Sequence, residues 1–196
     1  MVKSKNIQLS LSLVNALCIA LGFIFLILTG CAPDSFVSKE TDISAIKRVA
    51  VLPFENFTTD VYAGEKMRRI VITELLSEGV DVIEPGEVTR LLKDMEVRSL
   101  RSVGVKEIKE IGKTLGVEAV MTGSVEAYGM SQGISVTYPE VTINLMLLDA
   151  SSGSIIWSVR STSGGASFWT RHFGSEGMSL SETARKVVKK AFGSLF

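Results

Sequence analysis

The texture of hydrophobic and polar positions changes several times along the chain. Leu9 to Leu28 is a nearly uninterrupted apolar run behind Lys3 and Lys5. From Ala32 to about Ala45 the pattern dissolves: Pro33, Asp34 and several Ser and Thr carry neither a helical nor a strand period, and the segment reads as a tether. Lys47 to Pro53 then holds Val49-Ala50-Val51-Leu52, apolar on both faces, as expected of a central strand covered by helices on each side. Phe54 to Asp60 reads as a loop in which Asp60 or Thr59 caps the next helix.

From Val61 to Glu78, Met67, Ile70, Val71 and Leu75 recur at helical spacing, while Glu65, Arg68 and Arg69 are expected to face out. Gly79 ends that helix in a left-handed conformation, and Val80-Asp81-Val82-Ile83 is a short strand. Pro85 sits in the first turn of a second helix marked by Val88, Leu91, Leu92 and Met95. Arg98 to Gly104 is a polar loop, and Val105, Ile108, Ile111 and Leu115 mark a third helix closed by Gly116. Helix, glycine, strand thus occurs twice, which argues for βαβ crossovers and parallel pairing early in the chain. Val117 to Tyr128 is a further strand, Gly129 to Gly133 a flexible linker, and Pro139 stands at the edge of the next strand. Val141 to Asp149 has Val141, Ile143, Leu145 and Leu147 on one face, with Met146 and Leu148 on the other. Ala150 to Gly153 turns it back into Ser154 to Arg160, an antiparallel hairpin. Ser161 to Gly177 is loop. Ser179 and Glu182 form a capping box for a last helix striped by Leu180, Ala184, Val187, Val188, Ala191, Phe192 and Leu195.

The leading run changes the picture. A basic start, a hydrophobic centre and small residues are the order of a secretion signal. Leu28-Thr29-Gly30-Cys31 further resembles the lipobox of bacterial lipoproteins, whose cysteine is diacylated and whose chain is cut just before it. The run is nearly long enough to span a bilayer as an uncleaved anchor, but the polar segment that follows at once favours cleavage. On this reading residues 1–30 are a signal peptide, 31–45 the lipidated Cys31 and a short tether, and 46–196 one α/β domain. Such a tether reaches at most ~50 Å, and several acyl chains hold firmly where one does not. Ala32, where inner-membrane lipoproteins typically carry aspartate, implies the periplasmic face of an outer membrane.

Composition then narrows the function. Cleavage leaves 166 of the 196 residues, enough for one core. Of 21 basic and 21 acidic residues only Lys3 and Lys5 lie in the leader, so the mature chain holds 19 against 21, no field for a nucleic-acid partner. With Cys18 discarded and Cys31 lipidated, the domain contains no thiol, and stability must come from packing. His172 is the single histidine, which excludes a zinc site of usual composition. Nothing in spacing supports a triad of His172, Asp149 and a serine, and the glycines fit no phosphate loop. No cofactor and no enzymatic activity are expected. Arg185, Lys186, Lys189 and Lys190 give the last helix a basic end, a solvated face favoured by the helix dipole. The candidate partner surface is the aromatic loop holding Phe168, Trp169, Arg171 and Phe173, which has the composition of binding hot spots; equally, Phe168 or Trp169 folds back to plug the core.

Val49 to Phe54 with Asn56 and Thr58, then Gly116-Val117-Glu118-Ala119-Val120 with Gly123-Ser124-Val125, then Leu147-Leu148-Asp149-Ala150, Gly153 and Ile156-Trp157-Ser158 together resemble a superfamily of envelope lipoproteins. It includes the curli export protein CsgG, the amino-terminal domain of TolB, the penicillin-binding-protein activator LpoB and neisserial GNA-type lipoproteins. The resemblance covers Lys47 to Phe196. It implies a TolB-like mixed sheet of about five strands, parallel early and antiparallel late, flanked by helices, and a non-catalytic assembly or regulatory role in the envelope. The alternative it carries is a ring-forming, homo-oligomeric exporter of the curli type. The loops at Gly129 to Pro139 and Ser161 to Gly177 are short and polar for membrane-spanning hairpins, and the tether is short for a peptidoglycan-crossing linker.

Overall fold

A computed structural model describes residues 34–38, 43–132, 137–164 and 178–196. In chain order these form β1 (Asp34–Val37), β2 (Arg48–Val51), β3 (Glu55–Asn56), α1 (Ala63–Ser77), β4 (Asp81–Val82), α2 (Pro85–Asp94), α3 (Val105–Leu115), β5 (Ala119–Gln132), β6 (Thr137–Asp149), β7 (Ile155–Gly164) and α4 (Leu180–Phe192). The strands make one mixed sheet in the order β1-β7-β6-β5-β2-β4, with β3 also on β5. Pairings of β2 with β4 and β5 are parallel, and those of β5 with β6, β6 with β7 and β7 with β1 are antiparallel. The parallel-then-antiparallel order matches the sequence pattern, but the strands number seven rather than about five. The additional ones are β3, a residue pair too short to show a period, and β1.

β1 corrects the tether. Asp34, Ser35, Phe36 and Val37 lie opposite Arg160, Val159, Ser158 and Trp157 in turn. Ser35, Phe36 and Val37 are all exposed, so no buried face imposes alternation on this edge strand. The folded unit therefore begins by Asp34 rather than at residue 46.

Because β2 is apolar on both faces, the sheet has two cores. Val49 and Val51 join Met67, Val71, Leu75, Leu145, Trp157, Val187 and Phe192 under α1 and α4. Ala50 and Leu52 join Val88, Leu92, Ile108, Ile111 and Val120 under α2 and α3. Trp157 stands edge-on to Phe192, their ring centres 6.1 Å apart, and its indole N–H donates to Ser194 Oγ at 3.1 Å. Gly79 and Gly116 take positive φ at the ends of α1 and α3, and Ser179 and Glu182 form the capping box of α4, as the sequence predicts.

Three local expectations give way. Arg68 does not face out: it is 3% exposed, and its Nε and Nη2 donate to the Val51 carbonyl at 3.1 and 2.7 Å. Burial holds its pKa below the usual guanidinium value against the opposing pull of Glu65 and Glu84. Helical position alone misplaced it, since a long side chain can turn its head inward to an orphan carbonyl. Gly129 begins no linker; β5 continues to Gln132 and pairs with β6 as far as Thr137. Pro139 lies within β6, opposite Met130. Its carbonyl packs against Gly164, the last residue of β7, and its nitrogen, on the same side in an antiparallel strand, looks past the end of that strand.

Candidate functional site

The motif residues turn out to build turns. Asn56 Oδ1 accepts from Thr58 N at 3.0 Å and Thr58 Oγ1 at 2.8 Å, and Asn56 Nδ2 donates to the Asp60 carbonyl. Asp60 in turn accepts from Tyr62 N and from Lys66 Nζ at 2.7 Å, though the N-cap of α1 is Tyr62, with no side-chain capping bond, rather than Asp60 or Thr59; the Lys66 hydrogen bond, then the Tyr62 amide, hold the Asp60 pKa below the usual carboxylate value. Asp149 accepts from the Ser151 hydroxyl and from the amide and hydroxyl of Ser152, locking the β6–β7 turn. Burial opposes its ionisation, but those bonds outweigh it and its pKa is lowered. Asp149 Oδ1 thus serves the turn.

Among the described residues no group of three or more His, Cys, Asp or Glu could hold a metal ion, and every buried side-chain nitrogen and oxygen has a partner. No described helix is long and apolar enough to cross a membrane. Cys31, Phe168, Trp169, Arg171, His172 and Phe173 lie outside the described residues, so the lipid site and the aromatic loop rest on the sequence.

What the structure adds is an unevenly covered sheet. α2 and α3 pack on β2 and β5 on one side, and Phe36 of β1 and Ile155 of β7 beyond them are exposed. In the open rows, Thr122, Met146, Ser158 and Phe36 stand side by side across four strands, followed by Ser124, Asn144 and Arg160. A groove of about 330 Å³ runs between this face and the loop before α3, lined among others by Leu100, Val103, Asn144, Met146 and Ile155. At its mouth Arg101 Nε bonds Glu55 Oε1 at 2.9 Å while its guanidinium lies 5.3 Å from the centre of the Phe57 ring. At the far rim Arg160 grips Glu126 at 2.7 Å. Phe36 is 55% exposed and Ile155 45%. Exposed apolar side chains thus lie on this face between two fixed ion pairs. The sequence signalled this face only through Met146 and Leu148, apolar on the second side of an otherwise one-sided strand, because its other members come from segments far apart in the chain.

Residues 40–192 match the GNA1162-like lipoprotein family, in keeping with the motifs from Val49 onward. No curated protein shows significant similarity to the chain. Among solved structures, PelC from Paraburkholderia phytofirmans, a dodecamer, superposes with a TM-score of 0.59 at 22% identity, over 84% of this chain and 96% of that one. GNA1162 from Neisseria meningitidis gives 0.51 at 21% identity over 60% of this chain and 82% of its own. The LpoB C-terminal domain from Salmonella enterica, at 13% identity and 0.46 over 64% of this chain and 86% of its own, is too distant to carry an argument. These likenesses show the fold.

Proposed function

This chain belongs to the GNA1162-like lipoprotein family, and from that premise we propose that it matures at Cys31, is held by lipid on the periplasmic face of the outer membrane, and acts without catalysis as an assembly or regulatory partner of envelope machinery. The observation that supports this most is the half-covered sheet: Phe36, Met146 and Ile155, framed by Glu55–Arg101 and Glu126–Arg160, have the apolar centre and charged rim of a protein interface. A second reading, supported by the dodecameric PelC of similar fold, seats another copy of this chain on that face. A photo-crosslinking amino acid in place of Ser158, activated in intact cells and read by mass spectrometry, tests both. Adducts to another envelope protein support the first reading, and self-adducts with a large, defined oligomer in detergent support the second. An absence of adducts in cells that make and localise the protein refutes the surface. Cys31→Ala tests the anchor: the variant should keep its fold and leave the membrane fraction, and unchanged membrane partition refutes lipidation.

A further inference from the structure

α4 carries more positive charge than folding asks of it. Arg185, Lys186, Lys189 and Lys190 are all exposed, against the one acid Glu182, whose carboxylate is held by the amide and hydroxyl of Ser179. Arg185–Lys189 and Lys186–Lys190 are like-charge pairs at i, i+4, an arrangement that weakens a helix. The helix dipole accounts for Lys189 and Lys190 in the last turn, but its effect fades before Arg185 and Lys186. Lys190 donates to the Thr162 carbonyl at 3.4 Å; Arg185, Lys186 and Lys189 have no hydrogen bond or ion pair among the described residues. On α3, by contrast, Lys106, Lys109 and Lys113 are interleaved with Glu107 and Glu110.

This basic ridge borders a trough. Two adjoining hollows of about 500 and 460 Å³ lie between α1 and α4 and share Arg69, Ile70 and Arg185. One reaches back to Lys66 and Leu180, the other on to Ser77 and Lys189, so the two helices run side by side in the same sense. From Lys66 to Ser77 the trough is ~16 Å long at ~1.5 Å per residue. Ile70 and Leu180, half-buried against the core, line it. Its two walls differ in charge. On α1, Lys66 is held by Asp60 at 2.7 Å and Arg69 by Glu65 at 3.1 Å, and Glu74 adds a negative charge. On α4, Arg185 and Lys189 have no such partner among the described residues.

We propose that the trough between α1 and α4 docks an acidic helical segment of a partner protein, its carboxylates turned toward Arg185 and Lys189. A third helix fits the groove between two neighbours that run side by side, and acids one turn apart along it meet cations one turn apart on α4. A bilayer fits less well. An interfacial helix buries an apolar face at the acyl boundary, whereas Ala184, Val187, Val188, Ala191 and Phe192 already lie in the core. The trough stands on the side of the sheet opposite the groove at Arg101, so it depends neither on that surface nor on lipid at Cys31.

The test uses full-length protein in detergent micelles and a fluorescein-labelled alanine–glutamine peptide with Glu at every fourth position, read by fluorescence anisotropy at low ionic strength. Arg185→Gln/Lys189→Gln should weaken binding at least about fivefold. Lys109→Gln/Lys113→Gln, which removes the same charge at the same spacing from α3, should change it by less than about twofold. The Arg185→Gln/Lys189→Gln protein should melt at or above the temperature of the parent, because a repelling pair is gone. No binding to the parent, equal weakening by the two double variants, or equal binding of a peptide with Gln at every Glu position overturns the proposal. So does a loss of several degrees in melting, which would make those cations part of the fold. Displacement of the peptide at equal charge by a single-stranded oligonucleotide, or by phosphatidylglycerol added to the micelles, shows a surface that takes any anion and overturns the assignment to a protein segment.

Discussion

Gly112 lies at the point where α3 rests on the β6–β7 turn, and Gly112→Ala puts that seating to a quantitative test. A Cβ at this position would stand 2.5 Å from the Ala150 Cβ and 3.1 Å from the Ala150 carbonyl oxygen. Carbon atoms ordinarily settle at about 3.5–4.0 Å, so helix and turn must part by about 1 Å. Alanine in a helix interior gains about 1 kcal/mol over glycine, whereas overpacking costs about 1–3 kcal/mol. With a misfit this large the cost falls at the upper end, for a net loss of about 1–2 kcal/mol, or about 3–6 °C in melting temperature for a domain of this size. Ala150→Gly alone should cost about 1 kcal/mol in chain entropy and lost packing. Because it removes the atom being struck, the double variant should be better than the sum of the two by at least about 1 kcal/mol. Urea unfolding of the four proteins, followed by far-ultraviolet circular dichroism, gives the coupling directly. A Gly112→Ala protein more stable than the parent, or strict additivity in the double variant, would show that the helix does not sit on Ala150.

Other substitutions probe the core and its polar fixtures. Trp157→Phe should lose about 0.5–1.5 kcal/mol with the bond to Ser194, and Trp157→Ala about 3–5 kcal/mol; a Trp157→Phe protein as stable as the parent in denaturant melts would mean the indole N–H contributes nothing. Arg68→Ala should cost about 2–3 kcal/mol by stripping the Val51 carbonyl of charged donors and leaving space, and Arg68→Met clearly less, since its stem still fills the site; the reverse ranking would contradict this account. Hydrogen bonds in the folded state lower the carboxyls of Glu84 (from the amides of Gly86 and Glu87) and Glu182 (from Ser179), and Lys66 lowers that of Asp60. Folded values below unfolded ones give stability that is complete above the ordinary carboxylate range and is lost as pH falls through the folded values. The melting temperature should therefore be level near neutrality and decline below about pH 4, with a shallower decline in Glu182→Gln.

Much of the architecture was legible because it rests on periodicity. Val49 to Leu52 announced a two-sided sheet, the stripes of α2, α3 and α4 announced their buried faces, and Gly79, Gly116 and Ser179 marked helix ends by local backbone chemistry. What escaped was set by partners distant in sequence. β1 is a strand because β7 offers it an edge, and nothing in Asp34-Ser35-Phe36-Val37 says so. Gly129 to Gln132 reads as linker, yet cross-strand bonds to β6 carry it. The open face is invisible for the same reason: Arg101, Met146 and Ile155 are unremarkable until the topology sets them around one groove.

The mixed sheet also dictates an order of assembly. β5, β6 and β7 follow one another through short connections, so their two hairpins close cheaply and early. β2 joins the β5–β6–β7 part of the sheet only when Val49 finds Ala119, after three helices have been spooled out between them. β1 closes the largest loop of all, Asp34 on Arg160, and adds a single edge. Loop-closure entropy rises with length while the return here is four residues of pairing. The strand that leaves the ribosome first is thus the last to be fastened, and in hydrogen exchange its amides should open first while those of β6 hold longest.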